Sequence, residues 1–277
     1  MRTEALGVAS VFAANRARGA VAFDVRVEDG AMRRGAVHES GSLRVRFPSP
    51  EGNGLSSVLV NTAGGIAGGD RFDVEIAVNE GARLTLTTAA AEKVYRSPAE
   101  ASRLNIALKV ASDAHLAWLP QETILFDQAR MARNIDIDLA DNASLLLCEI
   151  VVFGRSAMGE TMRHGSFVDR WRVSRGGRLV FAETVRLEGD IGEKLARPAV
   201  ANGGAAIATA LFFPGDDALL ERIRQLSDGF GGEVGLSCWN GFAIARFCAQ
   251  DAARLRADMM AVLGRASNAP LPRLWLN

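Results

Sequence analysis

Four glutamates recur along the middle of the chain, each a few residues beyond an apolar stretch: Glu92, Glu122, Glu149 and Glu183. A carboxylate near a protein interior is costly unless it is paired, hydrated or bound to a metal ion. Two interpretations follow. Either the four side chains are solvated or arginine-paired strand ends, or they line a wet, acidic passage through which a hard or borderline cation travels while it is bound only weakly.

A serine nucleophile is the second chemistry that the sequence offers. Ser156 lies in the glycine-flanked segment 154–159. The nucleophile elbow of hydrolases is G-x-S-x-G between a strand and a helix, but here the second glycine comes one residue late and no helix is predicted after it. A triad would use His115 or His164 as its base. A serine hydrolase is therefore the alternative function.

Resident metal and nucleotide sites find little support in the sequence. There is no H-x-x-x-H pair, no cysteine pair and no calcium-loop spacing, so no tight metal site and no tightly bound cofactor is predicted. The glycine-rich segment 63–70 lacks both the G-x-G-x-x-G register and the Gly-Lys-Ser/Thr ending of nucleotide-binding loops. It is predicted to form a tight loop with left-handed or closely packed backbone, and a partner-contacting loop is the alternative.

Length and charge narrow the class of protein. The chain has 277 residues, 48% of them hydrophobic, which is enough for a sizeable core and excludes a disordered chain. Lys+Arg and Asp+Glu both total 32, so no basic excess points to nucleic acid or to an anionic membrane. The three scattered cysteines predict a reduced, cytoplasmic setting. The apolar segment 6–14 is a poor export signal because no basic cluster precedes it.

The elements that would position the acids form a repeat. An alternating strand, a polar turn and a second strand that begins small-x-Leu occur four times, with the small residue at positions 82, 114, 143 and 177. Strands with one apolar face need a covering layer. The repeat predicts a mainly β fold in which strand-turn-strand units stack in a solenoid-like or sandwich-like body over residues 1–200. An ordinary antiparallel sandwich is the alternative.

After residue 200 the pattern changes to a smaller α+β layer with two helices, residues 201–277, which is expected to pack on the β body as one continuous unit. A strand is predicted over 205–213, then a helix capped by Asp216 or Asp217, a hairpin at Asn240-Gly241 and a second helix over about 250–263. The prolines at 270 and 272 predict an irregular, exposed tail.

Four motifs, in this order, resemble the UreD (UreH) family of urease accessory proteins over roughly residues 20–240. They are GGIAGGD at 64–70, TTAAAEKVYRS at 87–97, WLPQETILF at 118–126 and GRSAMGE at 154–160. The resemblance implies a β-rich, non-enzymatic chaperone for nickel insertion into urease. Such a protein docks on the urease apoprotein and binds UreF, which recruits the GTPase UreG, while UreE supplies the nickel. The resemblance also implies a water-filled nickel tunnel.

On this interpretation the candidate passage residues are Glu92, Glu122, Glu149 and Glu183, with Asp70, Asp127 and Glu160 as outer contributors. The C-terminal layer and its tail are expected to meet the UreF-like partner. The chain departs from the family at 61–63, which read Asn-Thr-Ala where relatives often have His-Pro-Pro, and at Glu92, where many have Thr. A structural β-solenoid adhesion module is a third hypothesis, and the weak export signal counts against it.

Overall fold

The computed structural model describes residues 16–49, 52, 54–267 and 269–276, so the apolar segment 6–14 lies outside the described residues. The strands are β1 (Arg18–Glu28), β2 (Ala31–Gly41), β3 (Leu43–Arg46), β4 (Leu55–Asn61), β5 (Arg71–Val78), β6 (Arg83–Thr88), β7 (Glu92–Val94), β8 (Ser102–Val110), β9 (His115–Leu119), β10 (Thr123–Leu125), β11 (Arg130–Leu139), β12 (Ser144–Phe153), β13 (His164–Arg175), β14 (Arg178–Asp190), β15 (Ala206–Phe213), β16 (Glu233–Trp239) and β17 (Phe242–Ala249). The helices are α1 (Ile191–Ala196), α2 (Asp217–Arg224) and α3 (Ala252–Ala266). The predicted mainly β fold is confirmed.

The first sheet stacks the alternating strands of the repeat. Its order is β14-β13-β11-β8-β5-β1-β2, and the five strands from β13 to β1 run parallel. The register places Val74, Ile106, Ile135 and Trp171 side by side, so the apolar positions of successive repeats form continuous rows. Stacking of this kind is what gives a solenoid its core, because each unit covers the apolar face of its neighbours.

The second sheet takes the second strand of each of the first three units. Its order is β16-β17-β15-β12-β9-β6-β4-β3, and β4, β6, β9 and β12 run parallel. The small residues Ala82, Ala114 and Ala143 are buried where the chain turns from one sheet into the other. A side chain larger than alanine would therefore meet the stacked coils above and below, which explains the small-x-Leu pattern.

The prediction that β13 and β14 form a fourth unit of the repeat was wrong. β13 and β14 form an antiparallel hairpin within the first sheet, so the second strand does not cross to the other sheet. The reason lies in the turn: Gly176 and Gly177 have φ values of 54° and 75°. Two successive residues with positive φ make a tight hairpin turn that returns the chain beside the strand it has left.

Two cores flank the second sheet. The larger core lies between the sheets, and the smaller one lies between the second sheet and helices α2 and α3. Both predicted helices are confirmed, and Asp216 and Asp251 cap them by accepting from backbone N–H groups. β15 pairs with β12, so the C-terminal layer extends the second sheet. Among the described helices, none combines the length and apolar character needed to span a bilayer.

The prediction of an exposed C-terminal tail is wrong for Trp275, the large aromatic residue of that segment. Trp275 is 1% exposed and packs in the smaller core, and its Nε1 donates to the Leu119 carbonyl at 2.9 Å. Arg256 of α3 donates to the Trp275 carbonyl at 2.9 Å. The prolines end the helix, but the large aromatic side chain that follows returns to fill space beside α3.

Candidate functional site

Glu149 lies on β12, a strand that is covered on both faces. Leu147 and Val151, two residues before and after it, pack into the core between the sheets. Cys148 and Ile150 pack into the smaller core beneath the helices. Because side chains alternate along a strand, the Glu149 carboxylate enters the space between the two sheets. It is 3% exposed.

Arg133, on β11, faces Glu149 from the opposite sheet. Its Nη1 donates to a Glu149 carboxylate oxygen, while Nε and Nη2 donate to the two oxygens of Asp169 at 2.9 and 2.6 Å. Trp118 Nε1 donates to the other Glu149 oxygen at 2.9 Å. Burial raises the pKa of Glu149, and the guanidinium opposes that effect. One buried guanidinium thus stands between two buried carboxylates.

Glu92 begins β7 and faces the same interior space. It lies opposite Thr123 on the neighbouring parallel strand, and Thr123 Oγ1 is 3.5 Å from Arg133 Nη1. Asn61 Nδ2 donates to Glu92 Oε1 at 3.1 Å. Burial raises the pKa of Glu92 to about 7, partly offset by the Asn61 hydrogen bond and reinforced by the charge of Asp70. Glu92 is therefore about half protonated near neutral pH.

Glu183, on β14, lies at the other end of this series. Its Oε2 accepts from Arg246 Nη2 of β17 at 2.9 Å, which joins the two sheets. A cavity of about 30 Å³, room for about one water molecule, lies between Glu183 and the Arg133 cluster. We call the connected set the interior polar row; its members, in order, are Asn61, Glu92, Thr123, Arg133 with Glu149 and Asp169, Glu183 and Arg246.

Glu122 does not join the interior polar row. It comes immediately before Thr123, so the strand alternation directs it to the opposite face of the sheet. There its Oε1 accepts from Arg256 Nη1 of α3 at 2.6 Å. Its backbone carbonyl, however, accepts from Glu92 N at 2.7 Å and so helps to hold that residue in place.

Two of the three outer acids, Asp127 and Glu160, lie near the surface. Glu160 pairs with Arg155, with Oε2 at 2.6 Å from Nε. Asp127 Oδ1 accepts from the backbone N–H groups of residues 163 and 164 at 2.8 and 3.0 Å. Partial burial acts to raise the pKa of Asp127, but these hydrogen bonds outweigh it and the pKa is lowered. Both acids hold loops at one end of the coils.

Asp70 ties down the glycine-rich loop. Its Oδ2 accepts from Ala67 N at 2.7 Å, and its Oδ1 accepts from Ala17 N at 2.8 Å. Within the loop, a Cβ added at Gly68 would lie 1.9 Å from the Ser97 hydroxyl oxygen, so only glycine fits. The segment is a tight loop, as predicted from its glycines, and both carboxylate oxygens of Asp70 are engaged in holding it.

Asp70→Asn is expected to lower the free energy of unfolding by about 1 to 3 kcal/mol, because a part-buried backbone N–H then faces an amide NH₂ group instead of a carboxylate oxygen. Urea unfolding measures the difference. The matched control is Asp73→Asn, on the exposed face of the adjoining strand, where Asp73 accepts from Asn105. The control is expected to change stability by less than about 0.5 kcal/mol. Wild-type stability in Asp70→Asn would contradict the anchoring role.

The parts required for serine hydrolysis are not assembled. Ser156 begins an exposed 3₁₀ turn. His115 Nδ1 lies 2.8 Å from the Ser144 hydroxyl, and His164 pairs with Asp190 at 2.7 Å. Within the described ranges, Ser156 forms no hydrogen bond to a histidine, so the base that would activate it is missing.

The sequence patterns alone did not indicate Arg133, Asp169 or Thr123 as members of this site. A signal for two of them was present: Arg133 and Asp169 stand at positions where the alternation of β11 and β13 predicts inward-facing apolar residues. Charges at core-facing positions require partners in the core.

Across the part of the chain that the structure describes, no group of three or more His, Cys, Asp or Glu side chains is arranged to hold a metal ion.

Comparisons with known proteins agree on one family. The family model described as UreD urease accessory protein matches residues 16–276. A urease accessory protein UreD of Bradyrhizobium diazoefficiens is 74% identical over 277 residues and covers all of both chains. A urease accessory protein UreD of Rhodopseudomonas palustris is 73% identical and covers 97% of each chain. The chain therefore belongs to the UreD family of urease accessory proteins.

Proposed function

We propose that this chain is a non-enzymatic scaffold and chaperone for nickel insertion into urease in the cytoplasm. In this proposal it docks on the urease apoprotein and binds UreF, which brings the GTPase UreG, and it receives nickel supplied by UreE. Membership of the UreD family supports a role in urease maturation. Nickel is the cargo of this chain and not a resident cofactor.

The proposal that nickel passes through this chain rests on one observation: the side chains of Glu92, Glu149 and Glu183 all point into the space between the two sheets. Glu149 and Glu183 line one cavity. Glu92 lies opposite Thr123, whose hydroxyl is 3.5 Å from Arg133 Nη1. Carboxylate oxygens are ligands for divalent ions, and carboxylates already paired or protonated bind them less strongly. A row of such groups favours passage over storage. Asp70, Asp127, Glu122 and Glu160 contribute at most to the entrances in this proposal.

Glu92→Gln/Glu149→Gln is expected to leave complex assembly intact and to reduce the nickel content of urease by more than half. Glutamine keeps the shape and the acceptor oxygen of each side chain but removes the negative charge that attracts the ion. Tagged chains are coexpressed with urease and its accessory proteins; the pull-down reports assembly, and metal analysis of purified urease reports nickel.

The matched control is Glu75→Gln/Asp136→Asn, because both side chains lie on the outer face of the first sheet. It is expected to load urease as the wild type does. Normal nickel content with Glu92→Gln/Glu149→Gln would contradict the passage. Failure of the wild-type chain to recover urease subunits would contradict the scaffold itself.

The C-terminal layer is the surface proposed to meet the UreF-like partner. At the tip of its hairpin Trp239 is 42% exposed, and in the tail Leu276 is 65% exposed. Large apolar side chains left in water at the edge of a sheet and beside a helix are suited to burial against another protein.

A further inference from the structure

Arg133 combines permanent charge with almost complete burial. A guanidinium does not lose its proton in proteins, so its charge can leave this place only if the side chain moves. Three of its N–H groups donate to Glu149 and Asp169, and its Cζ lies 6.0 Å from the centre of the Phe167 ring. The side chain is therefore held by two acids on one side and an aromatic ring on another.

A purely structural ion pair accounts poorly for this cluster. One positive charge is shared by two carboxylates, each less than 10% exposed, so charge balance favours a second positive charge at the same place, either a proton or a cation. Next to the cluster the interior is not filled by apolar side chains: the cavity of about 30 Å³ adjoins Arg133, Glu149 and Asp169 and reaches Glu183. The carboxylates thus adjoin a space of the size of one water molecule or a small ion.

We propose that Arg133 is a built-in counter-ion that competes with nickel for the carboxylates of Glu149 and Asp169. This inference deepens the proposed function and rests on it, because it concerns the regulation of the same interior polar row. When no metal is present, the guanidinium satisfies both acids. A nickel ion gains these ligands only by displacing charge-assisted hydrogen bonds, so its net affinity is reduced and its release towards the next carboxylate is favoured.

Arg133→Met is expected to bind nickel at least tenfold more tightly than the wild-type chain. The experiment titrates the purified full-length chain with Ni²⁺ alone, by calorimetry or by competition with a metal-sensitive dye. Methionine matches the arginine stem as far as Nε and keeps its apolar contacts, but it leaves both carboxylates without their cation. In Arg133→Met/Glu149→Gln/Asp169→Asn the acids are also neutralised, and the gain in affinity is expected to disappear.

Arg133→Lys is a second variant for the same nickel titration, and it tests the proposal even if Arg133→Met does not fold. A lysine ammonium retains the charge but lacks the planar fork that contacts both acids at once. Nickel affinity several-fold above that of the wild type is expected. Unchanged affinity in the folded variants, or tight binding that survives neutralisation of Glu149 and Asp169, would overturn the proposal.

The two proposals fail in different ways. Nickel binding by the isolated chain requires no urease, so the result with Arg133→Met stands even if urease loads normally with Glu92→Gln/Glu149→Gln. If both proposals hold, the complete system gives a further result: Arg133→Met chains recovered from the complex retain nickel, and the urease recovered with them contains less than half the wild-type amount. Full nickel content of urease together with tighter binding by the chain would overturn the role of Arg133 in transit.

Discussion

Glu92→Gln is expected to raise the free energy of unfolding by about 3 kcal/mol at pH 8 and by only about 1 kcal/mol at pH 5. Burial is the main cause, since it raises the pKa of Glu92 from 4.5 to about 7. Each unit of pKa difference between the folded and unfolded chain corresponds to about 1.4 kcal/mol. Glutamine is neutral at every pH and its Oε1 can still accept from Asn61.

The sign follows from which form the fold prefers. The folded chain favours protonated Glu92, so the stability that this preference gives is fully present below pH 4.5. It is lost as the pH rises from about 4.5 to about 7, where the unfolded chain has released a proton that the folded chain still holds. Above pH 7 the folded chain carries a buried negative charge, and the glutamine variant avoids that cost.

Urea unfolding of the wild-type and Glu92→Gln chains at pH 5 and pH 8 measures the effect. Glu80→Gln, on the exposed turn after β5, is the matched control and is expected to give the same small change at both pH values. An equal effect of Glu92→Gln at the two pH values would contradict the burial of an ionisable Glu92.

The stability result also sharpens the nickel experiment. Because Glu92→Gln is expected to stabilise the chain at neutral pH and above, a loss of nickel incorporation in variants that contain it does not arise from unfolding at that position. Glu149→Gln retains an acceptor for Trp118, and Arg133 keeps its contact with Asp169. Reduced nickel content would therefore report the missing charges.

The β body could be predicted because alternation and turn spacing are local properties of the sequence. Apolar residues at every second position, followed by a turn and a small residue, predict the first three coils. The fourth unit could not be distinguished by that pattern, because its outcome depends on backbone conformation at Gly176 and Gly177. Two successive glycines with positive φ, which none of the three crossing turns has, fold the chain back as a hairpin within one sheet.

The candidate site was less predictable because it depends on strand parity and on partners distant in sequence. Thr123 faces the interior, whereas its neighbour Glu122 faces α3. A mistake of one residue in the strand register therefore assigns the wrong one of them to the site. Arg133 and Asp169 are 36 residues apart and meet only because β11 and β13 pair in parallel. Following the inward positions of each strand would have indicated the two charges; only the register shows that they share one cavity.

Trp275→Ala is expected to lower the free energy of unfolding by about 3 to 5 kcal/mol, the usual cost of removing a buried large aromatic side chain. The indole is 1% exposed and packs against residues of the smaller core. The substitution also removes a donor to the Leu119 carbonyl and the ring over which the Arg256 guanidinium lies, at 4.9 Å. Urea unfolding measures the loss, and a change below about 1 kcal/mol would contradict the packed tail.

The neighbouring residue gives the control and separates folding from partner binding. Leu276 is 65% exposed, so Leu276→Ala is expected to change stability by less than about 0.5 kcal/mol. Truncation after residue 265 would remove Trp275 as well, and loss of a partner by that shortened chain would then reflect a damaged core. Leu276→Ala leaves the core intact. Weakened recovery of the UreF-like partner with this variant would place the contact at the tail, whereas unchanged recovery would exclude the Leu276 side chain from that contact.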